Sequence, residues 1–287
     1  MRKVLVRIIC FLFVSGAAPY TSAHDLTTQN YSIAHIKDAV DVSEAVARIT
    51  STLEQQGFEI ALVVDHAAAA GSVELELAPT QIIFARPPRF LEKHLLRRSP
   101  TVGLDLPFKF LVFEDDGEIQ IRFNSIGYLI ERHDLALRDF LLNLIDAAVE
   151  QFGGKESGLI TIASLHSTEE TLEALKAEIS MNPAFRIPLI LDFNADRGKK
   201  RPFPILVVFG NPNVGTPLMQ TDQHIGIDLP QKFLIWEDEH GGVSISYNDP
   251  SFIAKRHNIQ GQDARLEMMS NALRRFALTA AGKRPDN

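Results

Sequence analysis

Two sets of polar residues recur in matching order along the 287-residue chain: Asp105, Lys109, Glu114, Asn124, Arg132 and His133, then Asp228, Lys232, Glu237, Asn248, Arg256 and His257. A carboxylate, an ammonium and an imidazole around one cleft would act as base, cation and acid, which makes His133, His257, Glu114 and Glu237 the candidates for acid–base catalysis. Strand phase opposes that cleft. Lys109 and Glu114 are five positions apart, an odd number, so on a regular strand their side chains point to opposite faces. A structural reading competes with it, in which Glu114 and Asp115 turn a hairpin, Asp105 forms a turn before Pro107, and Lys109 is an exposed strand cation. His133 and His257 each follow an arginine at the end of a short helical stretch, where a protonated imidazole suits the helix's negative end. His66, His94, His166, His224 and His240 are scattered without a His-x-x-x-His pair, and zinc needs three or four convergent ligands, so no metal is expected. No Gly-rich phosphate loop or other cofactor fingerprint is present, and no cofactor is expected.

A second chemistry is anion binding. Arg86, Arg89, Lys93, His94, Arg97 and Arg98 crowd one stretch, whereas the corresponding Asn211 to Gln220 carries no charge. A helix opening at Arg86-Pro87-Pro88 would hold phosphate, sulfate or a carboxylate through free backbone amides and guanidinium. The plainer alternative is a solvated helix face that neutralises nearby acids. The ligand-binding candidates are Arg86, Arg89, Lys93, Lys109 and Lys232, with Asn211 in the second set.

The elements that must position these residues are written twice. Gly103 to Leu135 matches Gly226 to Ile259 with one extra residue, His240, and 14 of the first segment's 33 positions are identical. A looser match upstream sets Phe84-Ala85-Arg86-Pro87 against Phe209-Gly210-Asn211-Pro212, and Phe58 through Asp65 against Phe185 through Asp192. Each copy opens on a helix with capping-box spacing, Asp41 with Glu44 and Ser167 with Glu170, followed by apolar residues at helical intervals. Phe58 to Asp65 and Gln81 to Arg86 read as strands. Pro88 begins a second helix through Arg98, and Pro107 to Glu114 with Glu118 to Asn124 makes a hairpin around Asp115-Asp116-Gly117. A closing helix carries Leu137, Phe140, Leu141, Leu144, Ile145, Ala148 and Phe152 on one stripe, echoed by Leu266, Met269, Leu273 and Phe276. Antiparallel strands with helices on one side predict two tandem α+β two-layer sandwiches. Phe108 to Phe113 and Ile205 to Phe209 are apolar on both faces, so a second cover is needed. The expectation is that the copies shield one another with pseudo-twofold symmetry, the Phe110 and Phe233 neighbourhoods lying on the shielded surfaces.

Composition narrows the setting. The chain is 45% apolar and 23% charged, which excludes disorder. Its formal charge of -7 lacks the basic excess that a phosphate backbone requires, so nucleic acid is not an expected partner. Arg2, Lys3 and Arg7 precede an apolar run from Ile8 to Ala18, and Thr21-Ser22-Ala23 follows, the pattern of a cleaved export signal. That run reaches only about 16 Å as a helix, short of the roughly 30 Å hydrocarbon layer, which argues against a membrane anchor. The only cysteine, Cys10, lies inside the signal. The expected division is a signal peptide over 1–23, an N-terminal segment over 24–34, a first repeat domain over 35–152, a linker over 153–158, a second repeat domain over 159–280 and a tail over 281–287.

The order Phe-x-x-Pro, then Gly-Leu-x-Leu-Pro-x-Lys, then an apolar strand ending in Glu-Asp-x-Gly and a later Arg-His resembles the bacterial and archaeal family called domain of unknown function 302. The resemblance covers almost all of both copies and implies a TATA-box-binding-protein-like α+β fold in tandem, with no assigned activity. The function expected is a non-enzymatic small-ligand or small-anion binding protein, periplasmic or secreted, with its site in the cleft between the copies. The alternatives are an enzyme using a His/carboxylate pair and a structural or assembly protein.

Overall fold

The computed structural model describes residues 31–35, 39–135, 157–193 and 204–284. The expected signal peptide, the closing helix of the first copy from Leu137 to Phe152, and most of the linker lie outside the described residues.

Each copy opens on a capped amphipathic helix. In α1 (Val42–Gln55), Asp41 accepts the Glu44 amide at 2.8 Å and Glu44 receives the Val40 amide at 2.9 Å. Orphan amides of the first turn are thereby satisfied, and Val42, Ala45, Val46, Ile49 and Leu53 form the buried stripe. Its counterpart α5 (Thr168–Ser180) carries the full capping box of Ser167 and Glu170 and buries Leu175 and Ile179.

Two five-stranded antiparallel sheets follow one plan. The first is ordered β1-β5-β4-β3-β2, from β1 (Tyr31–His35), β2 (Glu59–Asp65), β3 (Thr80–Arg86), β4 (Phe108–Asp115) and β5 (Glu118–Asn124). The second is ordered β6-β10-β9-β8-β7, from β6 (Leu159–Ala163), β7 (Arg186–Asp192), β8 (Ile205–Gly210), β9 (Gln231–Glu237) and β10 (Val243–Asn248). The short edge strands β1 and β6 were not anticipated from the sequence, and β1 brings the segment before residue 35 into the first sheet. Among the described residues the first copy also has the short helices α2 (His66–Gly71), α3 (Arg89–Arg98) and α4 (Ile126–His133), and the second has α6 (Pro212–Thr221), α7 (Pro250–Arg256) and the longer α8 (Asp263–Ala280). A 3-10 turn precedes β4 at Pro100–Leu104 and β9 at Gln223–Asp228, and the Leu106-Pro107 and Leu229-Pro230 bonds after them are both cis.

Strand alternation divides each sheet cleanly. Ile83, Ala85, Phe110, Val112 and Ile119 pack under α1, while Phe209, Phe233, Ile235 and Tyr247 pack with α5 and with Leu273, Phe276 and Ala277 of α8. The opposite faces contribute to one common cluster, in which Ile82, Phe84, Leu111 and Phe113 of the first copy join Leu191, Leu206, Val208, Ile227 and Leu234 of the second. Alternation therefore sets Phe110 and Phe233 against helices of their own copies. Leu111 and Leu234 are the residues that meet the other copy. A Cβ on Gly103 would stand 2.6 Å from Leu234 Cδ1, and one on Gly226 would stand 2.9 Å from Leu111 Cδ1, so each 3-10 turn lies on the other copy's sheet.

The register also corrects the looser sequence match. Phe84 pairs with Lys109, and Val208 pairs with Lys232. Phe84 is thus the partner position of Val208, not Phe209, and Arg86 corresponds to Gly210, not Asn211. A slip of one residue moves a side chain to the other face, and Phe84 and Phe209 do lie in different clusters.

Candidate functional site

The polar residues that recur in both copies converge on the junction of the two sheets. The first 3-10 turn ends at Asp105, whose side chain is carried inward below the sheet. Lys109 is the second residue of β4 and Asn124 the last of β5. Ser125 then accepts the Tyr128 amide at 3.1 Å and starts α4, whose last turn presents Arg132 and His133. The second copy builds the same group from Asp228, Lys232, Asn248, Arg256 and His257, with Asp249 capping α7.

Asp105 is the anchor of the first group. Its carboxylate accepts from Lys109 Nζ at 2.8 Å, Arg132 at 2.8 Å, His133 Nε2 at 2.7 Å and Asn124 Nδ2 at 3.1 Å. Asp228 accepts from Arg256 at 2.8 Å and His257 Nε2 at 2.8 Å, and its Oδ1 stands 3.5 Å from Lys109 Nζ. The two groups also reach across. Arg132 donates to Asn248 Oδ1, and Arg256 donates to Asn124 Oδ1 at 2.7 Å. Tyr128 lies between them: its hydroxyl accepts from Arg132 at 2.9 Å, and the Arg256 guanidinium sits 4.0 Å above its ring.

Burial and charge set the protonation of this group. Burial alone would raise both aspartates, but Arg132, Lys109 and His133 around Asp105 hold it well below the usual carboxylate range. Arg256, Lys109 and His257 do the same for Asp228 against the same opposing burial. Burial lowers His133 and His257, and the bond to aspartate only partly restores them. The expected protonated caps are therefore neutral imidazoles donating to carboxylates. Burial, reinforced by the neighbouring Lys109 charge, depresses Lys232 strongly. Lys232 Nζ turns to the carbonyls of Asp228 at 3.0 Å and Pro230 at 3.1 Å.

The sequence candidates separate into three places. His133, His257, Lys109 and Lys232 are together in this enclosed seam, and Lys109, at 3% exposure, is not the exposed strand cation of the structural reading. The reason is strand phase: positions 109, 111 and 113 share a face, and Leu111 and Phe113 are buried. Glu114 and Glu237 sit at the hairpin ends of β4 and β9, partly exposed and in phase with the helix-covered faces. They do not join the histidines. Arg86 grips buried Glu92 at 3.0 and 2.9 Å and reaches Glu59 at 3.4 Å, so its guanidinium neutralises acids of its own copy. Arg89 is exposed and Lys93 half-buried on α3, while Asn211 caps α6 by accepting the Asn213 amide at 3.0 Å.

Tyr128 was missed in the sequence. An aromatic residue stands four positions before the arginine in both copies, Tyr128 before Arg132 and Phe252 before Arg256, a helical spacing that sets ring against guanidinium. Arg132 lies 5.8 Å from the Phe252 ring. Among the described residues no cluster of three or more His, Cys, Asp or Glu is placed to hold a metal ion, and no helix is long and apolar enough to cross a membrane.

The family profile described as "Domain of unknown function DUF302" matches the chain twice, over residues 34–152 and 160–276. A protein of Brucella suis biovar 1 (strain 1330) named "Fluoride-specific ion channel FluC 1" is 41% identical over 110 residues, which is 36% of this chain and 42% of that protein. A protein of the same name from Brucella abortus biovar 1 (strain 9-941) is 41% identical over 110 residues, covering 36% of this chain and 39% of that one. The chain thus spans about two fifths of the length of the curated relatives it matches. A crystal structure of an uncharacterized conserved DUF302 protein from Bacillus stearothermophilus is similar at 14% identity and a TM-score of 0.38, covering 43% of this chain and 98% of that chain.

Proposed function

The chain belongs to the DUF302 family twice over, and from that premise we propose that it is a fused pseudo-dimer acting as a non-enzymatic binding protein of the cell envelope. In this reading the paired His-Asp-Arg groups lock the copies together and do no chemistry. The observation that carries it is reciprocity. Arg132 reaches Asn248 while holding Asp105, and Arg256 reaches Asn124 while holding Asp228, the crossed contact that a twofold homodimer of one copy would make. A general acid or base must touch its substrate. His133 has both ring nitrogens engaged, with Asp105 and with Thr101 at 3.2 Å, and is buried with the rest of the seam.

The basic pattern before the Ile8 to Ala18 run supports export. With the space between the copies filled by the seam, the ligand surface is the outer one, and its class is anionic, because α3 carries Arg89, Lys93, Arg97 and Arg98 on a chain of net negative charge. Calorimetry of the chain from His24 onward tests the fused arrangement. One cooperative transition is expected, splitting in two when Asn124→Ala and Asn248→Ala are combined. Two independent transitions in the unaltered chain would overturn it.

The relatives' printed name favours a second reading, that a unit of one copy's length serves in fluoride handling beside a channel. Titration calorimetry with sodium fluoride, against sodium chloride as control, decides for or against it.

A further inference from the structure

Helix α3 divides sharply by face. Leu91, Glu92 and Leu96 are buried, whereas Arg89, Phe90, His94, Arg97 and Arg98 are exposed and Lys93 is half-buried. At 100° per residue the six outward positions fall within one half-turn of the helix wheel, with Phe90 near its middle. Phe90 is 60% exposed. Arg89 and Arg98 also serve in contacts within the chain, so Lys93 and Arg97 are the cations on which the face depends. The acidic residue of this helix, Glu92, is turned inward and neutralised by Arg86. The corresponding α6 has no charge and is covered: Gln220 donates to the Glu76 carbonyl across the junction, Arg265 donates to the Asn213 carbonyl, and α2 packs on it.

A cationic half-helix with an exposed aromatic ring, set on a chain of net charge -7, matches a surface that is negative, extended and greasy just beneath. We propose that the outer face of α3 docks the protein on an anionic lipid bilayer, with Lys93 and Arg97 among the headgroups and Phe90 at the acyl boundary. This deepens the anionic-ligand part of the proposed function and does not need the fused arrangement. An isolated small anion would use the cations but leave Phe90 without a partner. An acidic protein would use both, and is separated from the bilayer by the test.

The experiment is co-sedimentation of the chain from His24 onward with phosphatidylcholine vesicles and with vesicles enriched in phosphatidylglycerol. Binding is expected only to the second kind, weakening as salt rises toward molar. Lys93→Glu with Arg97→Glu should reduce it roughly tenfold or more, and Phe90→Ser should reduce it with the charges in place. A Phe90→Trp chain gives a second readout independent of affinity, since its emission should shift to the blue on anionic vesicles. Equal binding to both vesicle kinds, indifference to the charge reversals in chains whose melting is unchanged, or binding to polyglutamate but not to vesicles would each overturn the proposal. One melting transition together with no vesicle binding would sink this docking surface and leave the fused pseudo-dimer standing.

Discussion

Lys109 and Lys232 hold the same place in the two copies, second in β4 and second in β9, each four residues after the junction aspartate. Lys109 bonds Asp105 and stands beside Asp228 as well. Lys232 turns to two backbone carbonyls and is depressed far below an ordinary lysine. Two ammonium groups in one buried space with only two carboxylates, both already held by arginine, would repel each other at low dielectric. Lys109 takes the contacts to both aspartates, while burial and the neighbouring Lys109 charge hold Lys232 well below the ordinary lysine range. The lesson is that a duplicated polar motif need not be symmetric in its energetics. Once two copies share a chain, His66 stands in the first where Phe193 stands in the second, and a basic α3 where α6 is uncharged.

The strongest way to break this comparison is to remove each aspartate. Asp105→Ala leaves Lys109, Arg132 and His133 facing a buried gap, and should cost about 3–5 kcal/mol in denaturant unfolding. Asp228→Ala removes the partner of Arg256 and His257 but leaves Lys109 on Asp105, so its cost should be smaller. Equal losses would show that the asymmetry of the lysines has no energetic meaning. Both aspartates are depressed relative to an unfolded value near 3.9, so their contribution is present above that value and is lost only as pH falls through the lower folded values.

The lysines sharpen the same contrast. Lys109→Met should destabilise by about 2–3 kcal/mol, because it withdraws a charged donor from a buried carboxylate. Lys232→Met should be close to neutral, the lost carbonyl bonds offset by ending the burial of an ionisable group. Urea denaturation of the two variants at neutral pH gives the difference directly, and a larger loss for Lys232→Met would overturn the contrast between the two lysines.

Much of the scaffold was legible because it rests on local rules. Asp41 with Glu44 and Ser167 with Glu170 mark helix starts that the structure contains, and the β4–β5 hairpin follows its turn residues. The seam was less legible. Asp105 before Leu106-Pro107 reads as a turn, and the return of β5 and α4 adds Asn124, Arg132 and His133 to Lys109 as its four donors. Lys109 shows how a local prior misleads: a strand lysine is ordinarily solvated, yet its phase with Leu111 and Phe113 placed it inside. The slip at Phe84 has a similar cause, since an identity between two phenylalanines outweighed a face that only pairing reveals.

His66 provides the next test. It begins α2, is buried, and is pushed down to about 4, chiefly by burial, with the Gly226 carbonyl and Asp65 opposing. The unfolded chain therefore binds a proton near pH 6.5 that the folded chain refuses until about pH 4. Its stabilising share is complete above 6.5 and is lost as pH falls toward 4. Replacing it with the residue of the other copy, His66→Phe, should remove about 2 kcal/mol of the stability lost between pH 7 and pH 5. Phe193→His should add a loss of the same sign. Thermal melts at the two pH values check both, and an unchanged pH slope in His66→Phe would mean that the imidazole is not refused its proton.

The smallest effect probes a feature on which the copies agree. Gly103 lies against Leu234, and Gly226 lies against Leu111, each close enough that an added methyl meets a leucine side-chain tip. A tip can swing aside where backbone cannot, so Gly103→Ala and Gly226→Ala should each cost only about 1 kcal/mol. Their pattern of relief carries more information than their size. Leu234→Val should ease Gly103→Ala and leave Gly226→Ala unaffected, while Leu111→Val should do the reverse. If relief instead followed the leucine of the same copy, the 3-10 turns would not be lying on each other's sheets. If it crosses as expected, the contact is reciprocal even though the charges beside it are not.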